Sequence, residues 1–192
     1  MKSSASPYLQ TDLELVQKIS SGDETAFSEL YSRYNLPVYN FILRLIHRAH
    51  AAEDILQEVF LAVWQGSKKF LGKSTVKTWV FRIAYNQTIS WIRKNKKTFR
   101  QHQNIDELPI IQDETSPENS LIELWQTAQI RSAIERLSYN HRSVIELTFV
   151  HGFSYQEIAD IMKCPVGTVK SRMSYALRYL KTDIDTSHKN DF

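Results

Sequence analysis

Apolar residues along the first hundred positions recur every three or four residues, the period of a helix with one buried side. The strict alternation of a half-buried strand is nowhere sustained. Leu9, Leu13, Val16 and Ile19 fall on one face, and Gly22 supplies a stop. Asp23 is placed to cap a second helix, whose stripe is Phe27, Leu30, Tyr31 and Tyr34. Pro37 lacks an amide hydrogen and crowds the preceding turn, so it is expected to break or kink that helix before Val38, Phe41, Ile42 and Leu45 resume the stripe. The run AEDILQEVFLAVW (52–64) predicts a third helix with Ile55, Leu56, Val59, Phe60 and Val63 inward. A polar, glycine-bearing stretch, QGSKKFLGKST, reads as a loop. A long helix from about Thr75 to Lys97 follows, with Val76, Trp79, Val80, Ile83 and Ile92 as candidates for burial.

Residues 101–120, QHQNIDELPIIQDETSPENS, have two prolines, no clear period and only acidic charge, the marks of a linker. Periodicity returns with Ile130, Ile134 and Leu137, then with Val144, Ile145 and Phe149 on a helix ending near Gly152. SYQEIADIM opens on a capping box, Ser154 with Glu157 three residues on, and turns Ile158, Ala159, Ile161 and Met162 inward. After a tight turn at KCPV a last helix carries Val169, Met173, Ala176, Leu177 and Leu180 on one side. Lys170, Ser171, Arg172, Ser174, Tyr175, Arg178 and Lys181 lie opposite. The expected fold is all-α: two helical domains joined by an extended acidic linker, the C-terminal one containing a helix-turn-helix. The expected boundaries are 1–100, a linker over 101–127, 128–182 and a tail over 183–192.

Charge sharpens this picture. The net charge is only +3, but residues 1–100 hold 15 Lys/Arg against 8 Asp/Glu, and residues 128–182 hold 8 against 4. Between them, 101–127 has no base and six acids. Two basic blocks around an acidic strip suit two domains that meet a polyanion and a linker that does not; chance imbalance on two solvated domains is the plainer alternative. With 42% hydrophobic residues there is enough apolar side chain for two cores. A single cysteine, Cys164, permits no internal disulfide and suits a reducing compartment. No apolar run approaches the ~18 residues of a membrane span, and MKSSASPYLQTDLE lacks the apolar core of a signal peptide. The expectation is a soluble, cytoplasmic protein without membrane insertion.

Catalysis finds little support. His47, His50, His102, His141, His151 and His188 form no ligand spacing with Cys164, and there is no glycine-rich phosphate loop or nucleophile elbow. No metal, cofactor or small-molecule substrate is expected. The C-terminal helix pair is more telling. A helix that opens CPVGTVKSRM offers amides to phosphate oxygens, a close backbone approach at Gly167, and Thr168, Lys170, Ser171 and Arg172 to groove edges. Taken alone, this fits a stand-alone DNA-binding regulator, a plain helical hairpin with a solvated basic face, or a module that binds another protein.

Longer stretches narrow the choice. HGFSYQEIADIMKCPVGTVKSRMSYALRYLK resembles the promoter −35-reading segment of extracytoplasmic-function (ECF) sigma factors, small bacterial transcription initiation subunits. The family's Ser-Tyr-x-Glu-Ile-Ala run and its Cys-Pro-x-Gly-Thr-Val-Lys-Ser-Arg run are both kept. The resemblance implies −35 contacts from Arg142, Thr168, Lys170, Ser171, Arg172, Ser174, Tyr175 and Arg178. Tyr175 and Leu177 stand where the family commonly has arginine, which lowers the charge available to phosphates, and Leu137-Ser138 replaces the usual Leu-Pro, with Ser as an alternative cap.

Asp54, Gln57 and Glu58 share one helix face through their i, i+3, i+4 spacing. That is either an ordinary solvated face or a docking patch for a basic helix. It is similar to the sigma-factor helix that binds the coiled coil of the largest subunit of core RNA polymerase. In KTWVFRIAYNQTISWIRKNKK, Arg82, Asn86, Ser90, Arg93 and Lys97 fall near one face, and RKNKKTFR (93–100) holds five bases. This run resembles the −10 segment, whose Thr-Trp-x-x-Arg-Ile-Ala-x-Asn pattern is met from Thr78 to Asn86. The resemblance implies −10 contacts from Phe70, Lys73, Lys77, Trp79, Arg82, Asn86, Arg93 and Lys94, with an unstacked base captured beside Phe70 and Asn86. Leu71, often Arg, and Lys73, often acidic, depart from the pattern. The resemblance covers about 11–97 and 128–182 and implies core RNA polymerase, promoter DNA and an anti-sigma factor as partners.

Overall fold

The structure, a computed structural model, describes residues 10–95 and 130–189, with side chains to Thr182. Among these residues the regular elements are all helical, and they form two units.

The N-terminal unit begins with α1 (Asp12–Ser20). Thr11 and Glu14 close a reciprocal capping box there, 3.3 Å from the Glu14 amide to the Thr11 hydroxyl and 2.8 Å from the Thr11 amide to the Glu14 carboxylate. The buried face is Leu15, Val16 and Ile19, whereas Leu13 is exposed, so the expected stripe is rotated; Leu9 lies outside the described residues. Gly22, at φ +93°, makes the reversal. Asp23 caps α2 (Glu24–Ile46) as expected, its Oδ1 accepting from the amides of Thr25 and Ala26.

Helix α2 does not break at Pro37. A proline inside a helix costs about 3 kcal/mol, but Tyr34, Val38, Phe41 and Ile42 on either side are buried. Each large apolar side chain so placed returns about 1.5–3 kcal/mol. Packing therefore outweighs the lost hydrogen bond. Asp12 ties α1 to α2 by accepting from the Tyr34 hydroxyl and, at 2.7 Å, from Arg33. Burial and the Asp12 carboxylate hold the Tyr34 hydroxyl above its ordinary pKa. Helix α3 (Ala49–Gly66) and helix α4 (Val76–Lys94) pack on α2 and on each other, with Phe41 and Phe81 meeting at 5.5 Å between ring centres. A 3-10 turn, Ser67–Lys69, leads out of α3.

The C-terminal unit starts with helical residues 130–136, here α5, followed by α6 (Tyr139–Ile145). Ser138 stands at the head of α6, yet its hydroxyl pairs with His141 Nδ1 at 2.8 Å instead of capping a backbone amide. A π-helical turn, Glu146–Val150, continues the chain, the His151 amide reaching back to the Glu146 carbonyl at 3.2 Å. The wider turn shifts the register, and Phe149, expected on the buried stripe, is exposed instead. Helices α7 (Tyr155–Met162) and α8 (Val166–Lys189) complete the unit and pack together, with α8 also against α6. The expected capping box is present, 3.3 Å from the Glu157 amide to the Ser154 hydroxyl. Helix α8 runs into the segment expected as a tail, since no Pro or Gly follows Gly167.

Candidate functional site

Three surfaces carry the predicted residues. On α3, Asp54, Gln57 and Glu58 are all exposed, while Ile55, Val59 and Val63 on the other side are buried. The carboxylates project from a helix fixed by its apolar half.

The second surface is the loop from Phe70 to Thr75 with the outer side of α4. Thr75 opens α4, its hydroxyl accepting from the Thr78 amide at 3.1 Å. Trp79 is not a surface residue: it is 7% exposed and packs on Phe70 at 4.7 Å between ring centres. Gly66 leaves room for it, since a Cβ there would lie 3.2 Å from the Trp79 ring. Trp79 is thus a wall behind the half-buried Phe70, and its expected direct contact with DNA is corrected to that supporting place. Arg82 and Asn86, one turn apart and half-buried, line the adjoining face of α4; Lys77 is half-buried too. Lys73, Ser90, Arg93 and Lys94 are exposed. Lys97 lies outside the described residues, as do the linker 101–127 and the part of the basic run that follows Asn95.

The third surface is the helix-turn-helix. Lys163 takes the left-handed conformation that ends α7, at φ 50°, and the chain turns through Cys164 and Pro165 into α8. The Thr168 and Val169 amides are taken by the Pro165 carbonyl at 2.9 and 3.3 Å, as the first turn of α8 closes. Space in front of Gly167 is open. Lys170, Ser171, Ser174, Tyr175 and Arg178 are exposed, and Thr168 is half-buried. Arg172 leans back on Cys164, Nη1 to Sγ at 3.9 Å. Leu177, expected inward, is exposed; Val169, Met173 and Ala176 are the buried stripe.

Arg142 belongs to none of these surfaces. It is 5% exposed, and its guanidinium donates to the carbonyls of Ile134 at 3.2 Å, Leu137 at 3.1 Å, and Glu135. Those carbonyls lie at the end of α5, where a helix has no partners of its own and favours a cation. Burial draws the Arg142 pKa down to about 10, with Glu135 and Glu146 opposing. Its expected DNA contact is corrected: Arg142 joins α5 to α6. Among the described residues, no group of His, Cys, Asp or Glu is placed to hold a metal ion, and no helix is long and apolar enough to cross a membrane.

The chain matches the model of Sigma-70 region 2 over residues 30–98 and of Sigma-70 region 4 over residues 127–180. It is 30% identical to the ECF RNA polymerase sigma-E factor of Haemophilus influenzae, covering 91% of this chain and 95% of that one. It is 31% identical to the sigma-E factor of Escherichia coli K12, over 85% of this chain and 88% of the other. The chain belongs to the ECF RNA polymerase sigma factors. A solved sigma factor of Bartonella quintana, RpoE, in complex with the anti-sigma factor NepR, is 26% identical and superposes with a TM-score of 0.63 over 83% of this chain and 96% of that chain. As a sigma factor, the protein acts in transcription initiation, not as a stand-alone regulator. The α3 and α4 surfaces lie within region 2 and the helix-turn-helix within region 4.

Proposed function

We propose that this sigma factor holds core RNA polymerase through Asp54, Gln57 and Glu58 on α3 and promoter DNA through two other surfaces. The N-terminal domain, 1–100, engages and helps to open the −10 element. Phe70 and Asn86 flank the base pocket, Trp79 stiffens it, and Lys73, Lys77, Arg82, Arg93 and Lys94 meet the backbone. The 128–182 domain reads the −35 duplex through Thr168, Lys170, Ser171, Arg172, Ser174, Tyr175 and Arg178. The acidic 101–127 segment spans polymerase between the two, following the charge of the nucleic acid that its channels hold. The protein has no catalytic chemistry of its own, works in the cytoplasm, and is held in reserve by an anti-sigma factor that covers the polymerase-docking face.

The observation that carries this division is the opposite charge of two exposed helix faces, carboxylates on α3 and cations on α8. A carboxylate face repels phosphate and suits a basic protein helix; the cationic face does the reverse. The test is run-off transcription with core polymerase over a genomic promoter pool. K170A or R172A is expected to weaken −35 engagement and leave core binding intact, while D54K with E58K abolishes core binding. Equal loss of both activities in either variant overturns the division. Tight binding to duplex DNA without polymerase, as a dimer on spaced half-sites, overturns the sigma mechanism itself.

A further inference from the structure

On a helix of about 3.6 residues per turn, Ser171, Tyr175 and Arg178 are neighbours on the side opposite the buried Val169, Met173 and Ala176. Lys170 and Arg172 stand to either side of them. Tyr175 is therefore at the middle of the outer face of α8, with 46% of its surface open. Its ring is nevertheless held. The imidazole of His141 on α6 stacks against it, ring centres 4.4 Å apart and planes inclined by 24°. The Arg178 guanidinium lies 5.7 Å from the ring centre. His141 is itself anchored by the 2.8 Å hydrogen bond with Ser138. Burial, aided by the nearby Arg172, keeps its pKa below the ordinary imidazole value. Both effects favour the neutral imidazole over a third cation beside Arg172 and Arg178.

A phosphate contact calls for a cation and tolerates a loose side chain, as the flexible lysines on such surfaces illustrate. A fixed, neutral, half-open ring suits a different target. The major groove offers one apolar feature to such a ring, the C5-methyl group of thymine. We propose that Tyr175 is a specificity-determining residue of the −35 contact that reads a thymine methyl, and that His141 is its positioning residue. The inference rests on the reading that α8 lies in the −35 duplex.

The test uses full-length protein assembled with core polymerase. A −35 element is first selected from a randomised promoter library, and each of its thymines is then replaced by deoxyuridine, which lacks only the methyl. For the wild type, one such replacement is expected to weaken promoter binding roughly fourfold, the worth of one buried methyl. Y175F keeps that sensitivity, because the hydroxyl is not the reading group. Y175A loses it, and so does H141A, with core binding unchanged in both; H141F, which retains a stacking ring, restores it. Uniform indifference to deoxyuridine in the wild type, or H141A discriminating as well as wild type, overturns the proposal. Failure of the wild-type holoenzyme to select any −35 sequence overturns instead the reading on which it rests.

Discussion

Trp79 in the N-terminal unit is 7% exposed and Tyr175 in the C-terminal unit 46% exposed, although each sits on the helix through which its unit is proposed to meet DNA. Trp79 is set into the core over Gly66 and backs Phe70. Tyr175 is braced from the side by His141 and left open. The difference follows from what each surface must bind. Capturing an unstacked base means offsetting the cost of breaking its stacking, and a pocket that must also order itself on binding adds to that cost. A preformed aromatic wall avoids it. Duplex DNA is already ordered, so the reading side chains can stay on the surface with their edges free.

Removing each element in turn tests this contrast. The largest effect is expected from W79A, which should destabilise the N-terminal unit by about 4 kcal/mol, while Y175A should stay within about 0.5 kcal/mol. Hydrogen exchange across a urea series, read separately for the two units, measures both. Comparable losses would mean that the two aromatics do the same structural work. R142A is next. It takes the guanidinium from three carbonyls at the end of α5, of which that of Ile134 keeps the Leu137 amide, and should cost the C-terminal unit about 3 kcal/mol, with no change in the salt dependence of DNA binding per remaining contact. A lowered salt slope would instead mark Arg142 as a phosphate ligand.

G66A pushes a methyl toward the Trp79 ring, 3.2 Å from Cζ2. The expected loss is about 1 kcal/mol, seen as a lower urea midpoint and a change in tryptophan emission. The smallest effect concerns His141. Its folded pKa is depressed from 6.5 by burial and by Arg172, so its contribution to stability is complete above 6.5 and is lost as pH falls through the depressed value. Acidification across that range should lower the midpoint of the C-terminal unit more in wild type than in H141F. An equal drop in both removes His141 as the cause.

Much of the framework was legible because it depends on neighbours in sequence. Asp23 and Ser154 announce their caps, and Ile158, Ala159, Ile161 and Met162 their buried face, within one or two turns. The acidic triplet on α3 was readable for the same reason: its i, i+3, i+4 spacing fixes the shared face once the helix is granted. What escaped depends on distant groups. Nothing local to Arg142 says that the carbonyls of residues 134, 135 and 137 will surround it. The stack of His141 on Tyr175 joins two helices and could not be read from either. Pro37 misled because a local penalty was weighed without the core that opposes it. Leu13 and Leu177 misled because a stripe drawn from apolar residues alone is wider than the face that the partners cover.

The π-helical turn Glu146–Val150 also bears on how this chain tolerates changes in length. Such a turn holds one residue more than an α-helical turn, and it can be emptied by a single deletion that returns the hydrogen bonds to their usual spacing. Each residue of a helix subtends about 100°, so that deletion would swing Phe149 from water toward the interior and re-aim the two following helices. Because α8 also packs against α6, losing a codon at this spot would force that seam to re-form at a new angle, which ties the aim of the reading helix to the length of this one turn.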